Sequence, residues 1–148
     1  MKKKRILVSA CLLGEPCRYD AKSKPCESVK ALEAHFELVR VCPEQLGGLP
    51  TPRPAAEING DRVLRADGTC VTEFFVTGAI KALETAKKCG CEIAVLKAKS
   101  PSCGKGRIYD GTFSATLTDG NGVSAAMLME NGITVLTEDE TDKLFCTE

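Results

Sequence analysis

RILVS at residues 5–9, followed by ACLLGEPCRYDAKSKP at 10–25, reads as a buried strand that runs into a long turn-rich loop. Basic residues followed by the apolar run from Ile6 to Leu13 superficially imitate a secretory leader. Ser9 and Gly14 break that run, however, and Glu15 follows at once. A strand buried in this way belongs to a sheet covered on both faces, so the rest of the chain should supply further strands and the helices to cover them.

It does so in alternation. Residues 28–37 carry Val29, Leu32 and Phe36 at helical spacing, and LVRVC at 38–42 is a second strand entering the breaker-laden PEQLGGLPTPRP. Asn59-Gly60 and Asp67-Gly68 punctuate a small hairpin within 57–71. The clearest helix covers 72–88: Thr72 can cap it, and Glu73 and the Lys87-Lys88 pair suit its two ends before Gly90. Phe75, Ala79, Leu83 and Ala86 make its apolar face. EIAVLK at 92–97 is a third strand, leading into KSPSCGKG. A hairpin around Asp110-Gly111, a helix at 123–131 closed by Gly132, and a strand at 133–136 complete the alternation. The polar tail TEDETDKLFCTE suits a final helix. The expected fold is α/β: a single domain of residues 1–148, with a mainly parallel, Rossmann-like sheet flanked by helices and small β-hairpin excursions.

Lysine plus arginine equals aspartate plus glutamate at 20 each, so no charge excess invites nucleic acid or a membrane surface. No apolar run approaches a membrane span, and a cytoplasmic location is expected. Nine cysteines are the anomaly. An odd count in a chain long enough to bury its own core argues against a disulfide framework; thiols in a reducing compartment point to metal or catalysis.

In parallel α/β sheets ligands bind beyond the carboxyl ends of the strands. Cys11, Cys42 and Cys103 each lie at, or a few residues past, such an end, in the loops SACLLG, VCPEQLGG and SPSCGKG. Thiolates suit an iron–sulfur cluster, with zinc the competitor for the same atoms. A structural zinc site would normally use four ligands in local pairs, and no CxxC pair occurs. Cys17 is either a fourth ligand or a thiol packed beside the site. Cys89 and Cys91 read as packing at a helix–strand junction, and Cys26, Cys70 and Cys146 as structural or surface thiols. His35, the only histidine, lacks the company of a hydrolase triad. Glu44 and Ser100 stand two and three residues from Cys42 and Cys103, each across a proline. They are placed either to move protons and orient water, or to pair with a nearby arginine and cap a turn.

SACLLGEPCRYD, VCPEQLGGLPTPRPAAEI, KSPSCGKGRIYDG and GNGVSAAMLMENGI, taken together and in this order, resemble the thiouracil desulfurase family over nearly the whole chain. That resemblance implies a 4Fe-4S cluster held by Cys11, Cys42 and Cys103, with one iron left open to take sulfur from a thiolated base. Glu44 and Ser100 match the family's catalytic positions, and Cys17 falls where the family motif often has valine. The implied activity is a non-redox desulfidase acting on 4-thiouracil or a related thio-nucleobase, with a small thiolated substrate as its partner. The alternatives are a non-catalytic iron–sulfur sensor or electron carrier, and a zinc-binding structural domain.

Overall fold

The computed structural model describes residues 3–145. Four parallel strands form one sheet: β1 (Lys4–Ser9), β2 (Phe36–Val41), β5 (Ile93–Leu96) and β8 (Thr134–Thr137), in the order β2-β1-β5-β8. Two antiparallel hairpins stand apart from it, β3 (Ala56–Asn59) with β4 (Arg62–Arg65), and β6 (Arg107–Tyr109) with β7 (Leu117–Asp119). The helices are α1 (Glu27–Lys30), α2 (Pro43–Leu46), α3 (Thr72–Cys89) and α4 (Val123–Glu130). The expected α/β architecture is therefore the observed one.

Strand alternation divides the core between the two faces of the sheet. Leu7, Val41, Ala94, Leu96 and Val135 point to one side and pack with Ala86 of α3 and Ala125 and Leu128 of α4. Ile6, Val8, Val95 and Leu136 point to the other and meet Val29, Leu32 and the buried Cys11–Leu12 turn. A third cluster of Leu49, Val63, Val71 and Phe75 seats the first hairpin on α3. None of the helices among the described residues is long and apolar enough to cross a membrane.

Three local expectations need correction. The helix foreseen at 28–37 is one α turn, Glu27–Lys30, followed by a 3-10 turn over Ala31–Ala34; Phe36 instead opens β2. Residues 36–41 pair with β1 from Lys4↔Phe36 to Ser9↔Val41, and that six-residue ladder outweighs the modest helix preference of a short segment. Thr72 does not cap α3: it is the first helical residue, and its hydroxyl accepts the Val63 amide at 2.9 Å, tying the helix start to β4. The tail forms 3-10 turns over Glu138–Phe145, and Cys146 lies outside the described residues.

The strand order positions the site. The chain leaves β1 for β2 on one side and returns to β5 on the other, so the loops after β1 and β5 diverge in opposite directions. The crevice between such loops is where open α/β sheets bind ligands.

Candidate functional site

A cavity of about 510 Å³ opens at that crevice, and Cys11, Cys17, Cys42 and Cys103 all line it. Cys11 sits in the tight 3-10 turn Ala10–Leu13, which leaves β1 and ends at Gly14 in the left-handed region, φ 98°. The Cys11 carbonyl accepts the Gly14 and Lys24 amides at 3.2 and 3.0 Å, which fastens the far end of the loop back onto the turn. Cys42 follows β2 directly and is the N-cap of α2, with Pro43 at the first helical position.

Glycines fix how closely α2 approaches α3. A Cβ on Gly47 would overlap the Phe74 carbonyl, and one on Gly78 would overlap the Pro43 carbonyl, so α2 can lie this close only with glycine at both positions. Cys103 is held from α4: the amides of Val123 and Ser124 donate to the carbonyls of Pro101 and Ser102 at 2.9 and 2.8 Å. The buried Ser102 and Ser124 hydroxyls meet at 3.0 Å. Gly122 packs against the same loop, where a Cβ would stand 2.5 Å from the Ser102 carbonyl.

Cys17, Cys42 and Cys103 are all raised above the ordinary thiol value. Burial pushes Cys103 up to about 12. Hydrogen bonding to Cys11 is the largest influence holding Cys17 at about 11, and hydrogen bonding to Cys17, with burial behind it, raises Cys42 further still. A cysteine nucleophile requires the opposite, a pKa lowered by a neighbouring cation or helix N-terminus. Raised thiols at Cys17, Cys42 and Cys103 instead fit a metal centre, which deprotonates its own ligands on binding. One ion would draw its thiolates within about 4 Å of each other, given Zn–S bonds of about 2.3 Å. Among the described residues no group of three or more His, Cys, Asp or Glu side chains is placed to hold a single metal ion. Thiols from three loops around a cavity of about 510 Å³ give a donor set and a space that fit a cluster.

Glu44 and Ser100 also line the cavity, and both carry the structural bonds weighed against a chemical role. Arg53 Nε donates to Glu44 Oε1 at 3.0 Å. Burial nevertheless raises the Glu44 carboxyl above its ordinary value, with Arg53 opposing the shift only in part. Ser100 Oγ accepts the Ser102 and Cys103 amides at 3.0 and 2.8 Å; this occupies its lone pairs and leaves its O–H to donate.

Three contributors escaped the sequence reading. Arg53, with 3% of its side chain exposed, also donates to the Pro50 carbonyl, the Thr51 hydroxyl and the Cys17 carbonyl, clamping the Cys17 loop to Glu44. Its signal was an arginine enclosed by prolines in TPRP. Ser9, which ends β1, accepts the Lys97 amide at 2.9 Å, joining the ends of β1 and β5 beneath Cys103. Its signal was a polar residue closing an apolar strand. Phe113 lines the cavity from the loop between β6 and β7 and had no such signal. Of the remaining thiols, Cys89 and Cys91 flank the α3–β5 junction. Cys26 and Cys70 contact the hydroxyls of Ser28 and Thr72 at 3.2 and 3.1 Å, away from the cavity.

The model of the 2-thiouracil desulfurase family matches residues 6–140. An uncharacterised Bacillus subtilis protein, YbbK, is 41% identical over 149 residues, covering 94% of this chain and 99% of its own. The solved structure of TudS, a [4Fe-4S]-dependent thiouracil desulfidase, is 46% identical. It superposes with a TM-score of 0.91 over 97% of this chain and 96% of that one. With the family model spanning both core faces and every loop that lines the cavity, the chain belongs to the 2-thiouracil desulfurase family.

Proposed function

We propose that this protein is a 4Fe-4S-dependent desulfidase. It removes sulfur from a thiolated small molecule such as 4-thiouracil or a related thio-nucleobase, with water replacing sulfur to give the oxo-product and hydrosulfide and no net redox change. The observation that carries this reading is the convergence of Cys11, Cys42 and Cys103 on one cavity at the strand ends. The same cavity presents a carboxylate and a hydroxyl. Likeness to TudS supports both the cofactor and the substrate class.

In this account Cys11, Cys42 and Cys103 hold the cluster. When bound, it supplies a Lewis-acidic iron with an open position for the substrate's sulfur. Glu44 takes the proton from the attacking water. Its Oε1 is fixed by Arg53, which leaves Oε2 for that proton, and burial favours the protonated product of the transfer. The Ser100 O–H orients the substrate or the water, and its position is set by the two amides it accepts. Protonated Glu44 then returns that proton to the departing sulfur as the C–S bond breaks, and the new hydroxyl becomes the carbonyl by losing its own proton to solvent.

Glu44→Gln tests the assignment. Glutamine still accepts the Arg53 N–H but cannot act as a base, so the variant should keep its cluster while turnover of 4-thiouracil falls about 100- to 10,000-fold. Ser100→Ala should keep its cluster with a smaller loss. Wild-type turnover by a cluster-loaded Glu44→Gln protein contradicts the assigned base. A loaded wild type that processes no thiocarbonyl compound favours the sensor reading instead.

A further inference from the structure

Among the described residues, four non-glycine residues have positive φ: Ala21 at 61°, Lys99 at 71°, Phe113 at 57° and Ala115 at 59°. Three of them, Lys99, Phe113 and Ala115, line the thiol-bearing cavity. Left-handed backbone costs an L-residue about 1–2 kcal/mol, and such strain gathers where a site needs a particular presentation. Phe113 is the unexpected member. Positive φ is a genuine outlier for a bulky side chain, and Phe113 remains 37% exposed.

The loop that carries it is well tied. The amides of Gly111 and Phe113 both donate to Glu57 Oε1, at 3.0 and 3.2 Å. Asp110 Oδ1 accepts the Thr112 amide at 3.0 Å, and the Asp110 amide donates to the Thr116 carbonyl at 3.0 Å. Gly111 lies so close to β3 that a Cβ would stand 2.8 Å from the Ile58 carbonyl. The loop therefore spends strain and a carboxylate to hold an aromatic ring at a cavity wall rather than in the core. Composition sharpens the point. The chain has no tryptophan, two tyrosines and five phenylalanines, and three of those seven aromatics, Tyr19, Tyr109 and Phe113, line this one cavity. Tyr19, like Phe113, is partly exposed, at 41%.

We propose that Phe113, which lines the cavity together with Tyr19, is the platform on which a planar heteroaromatic substrate stacks, and so sets the preference for ring compounds. The proposal rests on the desulfidase reading of the same site. Every nucleobase has a π-face, so stacking fixes the plane of the ring and leaves Glu44 and Ser100 to address its edge.

The test uses cluster-loaded wild type, Phe113→Ala and Phe113→Trp. KM and kcat are measured for 4-thiouracil, and the Kd for uracil is measured by calorimetry. Alanine keeps an L-residue in the left-handed position, so the backbone strain is unchanged and only the ring is lost. The expected result is a rise of about 5- to 150-fold in both the KM and the uracil Kd of Phe113→Ala, the equivalent of about 1–3 kcal/mol per stacked base. The change in kcat should be smaller, and tryptophan should restore both constants. Constants within twofold of wild type in Phe113→Ala, no recovery with tryptophan, or a wild type that binds neither ring compound at millimolar concentration overturns the proposal. A wild type that binds uracil through Phe113 but releases no sulfur leaves the platform standing and refutes the desulfidase reading.

Discussion

Gly78→Ala adds a single methyl group on α3, outside the cavity lining, that should nevertheless disturb the site. Replacing a mid-helix glycine with alanine ordinarily stabilises a helix by about 1 kcal/mol. Here the new Cβ would overlap the Pro43 carbonyl oxygen, lie 2.8 Å from its carbon and approach the Gly47 nitrogen. These are backbone atoms, with no rotamer to turn aside. Restoring carbon contacts of about 3.5 Å requires α2 to back away by roughly 1 Å. Overpacking of this kind costs about 1–3 kcal/mol, which cancels or reverses the propensity gain. More tellingly, α2 starts at Cys42 and carries Glu44, so the displacement moves a proposed ligand and the proposed base together. Misplacement of about 1 Å is enough to lower turnover about 100-fold. The assay is a urea unfolding curve of the cluster-free protein, together with iron content and turnover after anaerobic reconstitution. The expected variant is no more stable than wild type, holds less iron and turns over at most about one-hundredth as fast. A variant about 1 kcal/mol more stable, with full iron and full activity, refutes the claim that the α2–α3 approach sets the site.

Other outcomes follow from single contacts. Cys17 lines the same cavity, and its carbonyl accepts the Cys42 thiol at 3.6 Å, so Cys17→Val should retain iron and sulfide; loss of both would make Cys17 a ligand and favour the sensor reading. Glu140 accepts from the Thr137 amide, Lys105 and Lys143 at 3.0, 3.1 and 2.6 Å. Although burial works the other way, these bonds hold its carboxyl at about 2, below the ordinary 4.5. A depressed carboxyl stabilises the fold fully above the unfolded value and loses that contribution as pH falls through the folded one. Glu140→Gln should therefore cost the cluster-free protein about 1 kcal/mol at neutral pH, allowing for screening by water around a partly exposed group. Urea midpoints should show most of that gap closed at about pH 2.5, and an undiminished gap there contradicts the assignment.

The parallel sheet was legible because buried parallel strands write themselves as unbroken apolar runs, as Ile6–Val8 and Ile93–Leu96 do. Once the strands were placed, the rule of carboxyl ends pointed to the loops of Cys11, Cys42 and Cys103 before any contact was known, and those loops do line one cavity, with Cys17 beside them. Phe36 was misjudged because helical spacing over ten residues looks the same whether or not a neighbouring strand claims its end, and that claim comes from residues 4–9. The prolines of TPRP marked Arg53 but not its partners: Glu44 and Cys17 lie 9 and 36 residues back, and only the folded loops bring them together. Phe113 was hidden for a different reason, since positive φ is foreseeable at glycine but not at phenylalanine. The competing readings of Glu44 and Ser100 turned out not to exclude each other. Both residues make the structural bond and both face the cavity, because the same bond that holds the chain also aims the group.

Iron and acid-labile sulfide per chain, measured after anaerobic reconstitution of wild type and of the alanine variants at Cys11, Cys42 and Cys103, test the central claim most directly. The account predicts about four irons and four sulfides in wild type, the content of a cubane cluster, and loss of both in each of the three variants. Tightly bound zinc in place of iron in wild type, or full iron retained without any one of these cysteines, would contradict it.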